Sequence, residues 1–232
     1  MQTMSLETIV HAIATWIIPL VIAIVFHEVA HGRVASALGD PTARNQNRLS
    51  FNPIEHVDPV GTILVPLGLA IAHLPVFGWA KPVPVVASQL RNPRRDMVLV
   101  ALAGPAMNLL LALTAALSLA LLATVWHGDS SGGVARLLVE NLENFVRINV
   151  FLAVFNLLPI PPFDGGHVVE GLLPRPLARQ YGQIARYGFP VMLLLLVVLP
   201  TIVPAANVVQ WVVGPPAQAL TRLFLGIAVP GA

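Results

Sequence analysis

Thr8-Ile9-Val10-His11-Ala12-Ile13-Ala14-Thr15-Trp16-Ile17-Ile18-Pro19-Leu20-Val21-Ile22-Ala23-Ile24-Val25-Phe26 contains no Asp, Glu, Lys or Arg and runs directly into His27-Glu28-Val29-Ala30-His31. An uncharged apolar run of this length reads as a membrane helix. Residues four apart stand one above the other on a helix face, so His27 and His31 can hold one zinc ion. Glu28 beside them can act as general base. The junction therefore points to a hydrolytic metal site in or at a bilayer.

Outward from this junction, the helix is expected to span Thr8 to Leu38, with Gly39 stopping it and Pro19 kinking it. At 1.5 Å per residue it measures about 46 Å against a hydrocarbon core of ~30 Å, so the histidine end projects toward the interface. Glu7 precedes the run and no small-residue cleavage site follows it, which argues against a removable signal peptide. The 232 residues are 56% hydrophobic and 10% charged, with mean hydropathy +0.78. Soluble domains carry about 25% charged residues, so the chain reads as one membrane-embedded domain, 1–232, with short loops. With no cysteine, any metal falls to His, Asp and Glu. A net charge of +2 spread over loops gives nucleic acid no footprint.

Further apolar segments follow. Val60 to Ala80 is uncharged but broken by Gly61, Pro66, Gly68 and Pro75, which suits a re-entrant segment better than a span. Trp79 to Val86 reads as a short extended β-strand, confined to an edge by Pro82 and Pro84. Met97 to Trp126 is the clearest span, and Leu142 to Leu158 is another. An apolar segment from Gly188 continues through Pro200, Pro204 and Gly214-Pro215-Pro216 to Thr221, as a further span or an interfacial helix.

Ten of the 13 basic residues fall in three groups near the ends of the apolar segments: Arg33, Arg44 and Arg48; Lys81, Arg91, Arg94 and Arg95; and Arg175, Arg179 and Arg186. The positive-inside rule places all three in the cytoplasm, provided that Val60 to Ala80 re-enters and does not cross. The first span then runs inward, and the ends of the first span and of Leu142 to Leu158 share one depth. That brings Asp164 to the level of His27 as a candidate third ligand, the alternative being an Asp-Gly turn that ends the segment.

His27-Glu28-x-x-His31 paired with Asn156-x-x-Pro159-x-Pro161-x-x-Asp164-Gly165 resembles the site-2 protease family of intramembrane zinc metalloproteases. Gly39-Asp40-Pro41, Asn52-Pro53, Gly78-Trp79-Ala80-Lys81-Pro82 and Ala103-Gly104-Pro105-x-x-Asn108 look like its compact prokaryotic branch, which lacks PDZ and CBS domains. The resemblance covers about Phe26 to Leu173. It implies a three-helix catalytic core formed by the first span, Met97 to Trp126 and Leu142 to Leu158. It also implies one zinc ion per chain on His27, His31 and Asp164, Glu28 as base, and Asn156 contacting substrate or the oxyanion. The fold expected is an all-α polytopic membrane protein: this core (about 8–173), additional spans in C-terminal helices (about 184–229), a re-entrant segment and a short β-strand or hairpin.

The substrate expected is a transmembrane helix of another membrane protein in the lipid bilayer, cleaved in regulated intramembrane proteolysis. Such a helix hides its peptide bonds and must unwind, and the strand around Lys81, Val83 and Val85 can pair with the unwound backbone by β-augmentation. The site is expected to face the cytoplasm from a prokaryotic inner membrane. His167, three residues past Asp164, is a competing ligand unless a helix beginning after Gly166 turns it outward. His56 and His73 read as interfacial, and His11 and His127 as marking the outer boundary. A catalytically silent membrane-protein-binding relative and a metal transporter are the alternatives. Transport predicts polar residues along several spans, whereas Met97 to Trp126 offers only Asn108, Thr114, Ser118 and Thr124. Oligomeric state is open at this level.

Overall fold

A computed structural model describes residues 5–72, 78–125, 133–203 and 205–228. The first long helix, α1 (Val10–Ala37), widens into a π turn at Ile13–Ile17. Pro19 at the start of the following α-helical stretch offers no N–H and crowds the carbonyl one turn back, so the expected kink takes the form of a widened turn. The helix ends as the sequence predicts. Gly39 takes φ +115°, the Asp40 N–H donates to the Ala35 carbonyl (3.0 Å) and the Gly39 N–H to that of Ser36 (3.4 Å). This is a Schellman end, and it turns Asp40 back to the level of Ala35.

The apolar helix α2 (Pro59–Ile71) is capped by Asp58, whose carboxylate accepts the N–H groups of Val60 and Gly61. The chain then returns to where it began. The Trp79 N–H donates to the Gly61 carbonyl (3.1 Å), the Thr62 hydroxyl to the Trp79 carbonyl (2.9 Å) and the Lys81 N–H to the His56 carbonyl (2.8 Å). Gly61 is required here, since a Cβ would sit 2.2 Å from the Trp79 ring. The residues before and after the segment therefore lie side by side.

The expected β-strand or hairpin is not found: among the described residues there is no strand. Residues 79–86 are irregular backbone for a physical reason. Pro82 and Pro84 donate nothing. The N–H groups of Lys81, Val83 and Val86 are taken by the His56 carbonyl, the Glu28 carboxylate and the Asp40 carboxylate. No donor row is left for a ladder.

Helix α3 (Pro93–Val125) buries a stripe of small residues, Ala101, Gly104, Asn108, Ala112, Ala115 and Ala116, and leaves Leu110, Leu117 and Leu121 exposed. Small residues inward and large apolar ones outward is the pattern of helices that pack closely within lipid. It packs against α1 and against α4 (Gly133–Asn156), which starts earlier than the expected Leu142. A short helix α5 (Asp164–Leu172) packs back on α3. Then come α6 (Arg175–Ala185) and α7 (Gly188–Ile202), bent by 66° from each other. After a π turn at Val209–Val213, α8 (Gly214–Ala228) packs on α3 and α4, so the tail closes onto the core. Helices α1 and α3 are long and apolar enough to cross a membrane, and α6 with α7 makes a third if taken as one broken span. Helix α4 carries Arg136, Glu140, Glu143 and Arg147 in its N-terminal two-thirds.

The basic loops gather at one end. The Arg48 guanidinium donates to the Lys81 carbonyl (3.0 Å), that of Arg91 donates to the Ala37 carbonyl (3.1 Å), and Gly171 lies against Val98 and the Arg94 carbonyl. His11 pairs with Glu140 (2.6 Å). His56 is buried and bonded to the Ser50 carbonyl (2.8 Å). His73 and His127 lie outside the described residues.

Candidate metal centre

Helix α1 presents His27 and His31 to α3 at Gly104, where a Cβ would lie 2.3 Å from His31 Nε2 and 2.6 Å from His27 Nε2. Only glycine leaves room for both rings. The third group comes from the chain leaving α4: Asp164 opens α5, whose glycines allow that start. A Cβ at Gly165 would stand 2.3 Å from the Leu157 carbonyl oxygen, and one at Gly166 would stand 2.9 Å from the Pro161 nitrogen. Asp164 Oδ2 then lies 3.2 Å from His27 Nε2 and 3.4 Å from His31 Nε2, and the two Nε2 atoms are 3.0 Å apart.

The protons on the two rings are fixed from behind. His31 Nδ1 faces the Val100 carbonyl (2.7 Å), which can only accept, so Nδ1 carries the hydrogen. His27 Nδ1 faces Asn108 Oδ1 (2.6 Å). The orientation of that amide is set by its Nδ2, which donates to the Ala23 carbonyl (3.2 Å) and to Asn149 Oδ1 (2.8 Å). Asn149 in turn donates to the Phe145 carbonyl (2.9 Å). In the neutral rings both Nε2 atoms therefore hold lone pairs, aimed at each other and at a carboxylate oxygen.

Asp164 Oδ2 is buried and has no hydrogen-bond donor. Three acceptors converging without a proton between them repel one another unless a cation joins them. A tetrahedral zinc with bonds of about 2.0–2.1 Å spaces its ligands by about 3.3 Å, so the spacing and the N, N, O donor set both fit that ion. The hydrogen bonds behind the rings also fit, because metal-binding imidazoles give their other N–H to a carbonyl or amide oxygen. His27, His31 and Asp164 form one group of potential metal ligands among the described residues.

Other expected site residues fall differently. Glu28 is half-buried and accepts the Val83 N–H at its Oε2 (2.9 Å). Val83 is buried, and Val85 packs with Ala35, Leu90 and Val100. The Lys81 backbone is fully engaged, its N–H by His56 and its carbonyl by Arg48. Asn156 donates its amide to the Leu152 carbonyl of its own helix (3.0 Å). Among the described residues His167 belongs to no group of potential ligands, and α5 begins at Asp164 itself and so before Gly166. The residues that sequence reasoning gave no role are Gly104, Asn108 and Asn149. An asparagine within an apolar helix is the signal that could have marked the last two.

The model of peptidase family M50 matches residues 130–199, the part of the chain that contains Asp164. YwhC of Bacillus subtilis (strain 168), whose name assigns it provisionally as a zinc metalloprotease, is 36% identical over 215 residues, 92% of each chain. Rip2 of Mycolicibacterium smegmatis, named in the same way, is 31% identical over 199 residues, 84% of this chain and 68% of that protein. No solved structure matches the chain.

Proposed function

This chain belongs to peptidase family M50, the site-2 protease family, and we propose that it is an intramembrane zinc metalloprotease that cleaves transmembrane segments of other membrane proteins. The observation that carries this reading is the cluster of acceptors formed by His27, His31 and Asp164, with its orphaned Asp164 Oδ2 and its carbonyl-fixed tautomers. These three side chains would hold the zinc, one ion per chain. When bound, the ion supplies a Lewis acid and lowers the pKa of water toward ~7.

The chain's own groups do the rest. Asn108 and the Val100 carbonyl keep His27 and His31 in the ligating tautomer. Glu28, one residue from a ligand, takes the proton from the attacking water and passes it to the leaving amine. Among the described residues the Val83 carbonyl and the Val85 N–H make no hydrogen bond within the chain, and they are the groups available to an unwound substrate backbone. The substrate-binding role thus passes to the irregular segment itself, with no strand required. Asn156 keeps a substrate or oxyanion role only if its amide leaves Leu152 when substrate arrives.

The apolar helix α2, returning on itself, is read as a re-entrant element. The gathering of basic loops supports a cytoplasmic position for the site in a prokaryotic inner membrane. The deciding experiment compares wild type with Glu28→Gln, purified in detergent, on designed single-span peptides. Both proteins should carry zinc, and only wild type should cut, with a loss of about a hundredfold or more in the variant. Equal zinc with no cleavage by wild type across a broad peptide panel would leave the silent-relative reading in its place.

A further inference from the structure

We infer that Asp40 is a positioning residue of the site: by gripping the Val86 N–H it fixes residues 82–86 so that the Val83 N–H holds Glu28. The inference rests on the proposed role of Glu28 as general base. Glu28, Gly32 and Ala35 stand at i, i+4 and i+7 on one face of α1, and residues 83–86 lie along that face. Val83 covers Gly32, where a Cβ would be 2.6 Å from Val83 Cγ1. Val85 covers Ala35, and the Schellman turn brings Asp40 back to the level of Ala35.

Two carboxylates thus hold the segment by its backbone, Glu28 at Val83 (2.9 Å) and Asp40 at Val86 (2.6 Å). Pro82 and Pro84 stiffen the stretch in between. Asp40 is fully buried, and among the described residues it forms no ion pair. Its charge is held by three donors: the Val86 N–H on one oxygen, and the Thr42 N–H and hydroxyl on the other. A carboxylate is the group that can accept on both oxygens, whereas an asparagine would face one set of donors with its own N–H groups. The Thr42 bonds cap the local turn. The Val86 bond reaches 46 residues away and has no capping use.

The test uses the absence of cysteine, which makes Pro84→Cys a single labelling site on the full-length chain. Asp40→Asn, Asp40→Glu, Thr42→Val and Val86→Pro are compared for zinc content and for kcat and KM on a designed single-span peptide in the otherwise unchanged chain, and for maleimide labelling rate in the Pro84→Cys background. Asp40→Asn should retain zinc, label faster at position 84 and lose about tenfold or more in kcat with little change in KM. Asp40→Glu should recover part of both effects, and Thr42→Val, which keeps the Val86 bond, should lose less than Asp40→Asn in both. If Asp40→Asn fails to fold, Val86→Pro removes the same bond from the other side and should reproduce the pattern. Unchanged labelling and kcat in Asp40→Asn, or equal losses in Thr42→Val, would overturn the inference. Faster labelling in Asp40→Asn beside an inactive parent would sink the protease reading while leaving the positioning role standing.

Discussion

At the scale of single residues, the site depends on an absence of atoms as much as on its donors. Gly104 of α3 leaves its side of the cluster without a side chain, and it faces the Nε2 atoms of His27 and His31. Gly104→Ala should therefore abolish zinc retention while preserving helix content, since alanine suits a helix better than glycine does. Metal analysis beside circular dichroism on the purified variant checks this, and full zinc content would show that the rings can shift to admit a methyl group. The meeting of His27 and His31 was legible in the sequence because helical spacing is short, and that of Asp164 with them from the paired motifs, and the three do form one group of potential metal ligands. The roles of Asn108 and Asn149 were not legible, because their partners stand 81 and 41 residues away along the chain, where no local pattern reaches.

At the scale of elements, the apolar helices were readable from composition, and the segment between them was misread. Residues 79–86 alternate in the manner of a strand, but side-chain carboxylates and a loop carbonyl capture their few donors. The turn that feeds this capture has its own pH dependence. Burial pushes the Asp40 carboxyl upward, and the hydrogen bonds from the Thr42 hydroxyl, the Val86 N–H and the Thr42 N–H outweigh it, so its pKa falls below the ordinary value. A carboxyl depressed in the folded state stabilises the protein above its unfolded pKa of about 3.9 and loses that contribution as the pH falls through the folded value. Arg91, which lies against Gly39, keeps its charge throughout this range. Wild type should accordingly melt above Asp40→Asn at neutral pH, and the gap should close below about pH 4. Thermal unfolding in detergent across this range gives the measurement, and a gap independent of pH would mean that the charge of Asp40 contributes nothing.

At the scale of the whole molecule, the packing of α1, α3 and α4 sets how deep the chemistry lies. From Leu38 at the helix end, His31 is about 10 Å and His27 about 16 Å along the axis, within reach of water from the end where the basic loops gather. Charged and polar ligands are tolerated at that depth because they face the bundle, not lipid. On the proposed re-entrant reading, the loops before and after α2 belong to the same side, because the chain returns at Trp79 to Gly61. Single cysteines at Ser50 and at Gln89 test this directly. In intact bacteria both should resist a membrane-impermeant maleimide and react after lysis, while one at Glu143, beyond the middle of the packed helices, should react without lysis. Opposite behaviour of Ser50 and Gln89 would mean that α2 crosses, and the ten grouped cations would then no longer share a face. Reaction of both in intact cells would keep the fold and invert it, turning the metal centre outward and away from any substrate segment released toward the cytoplasm.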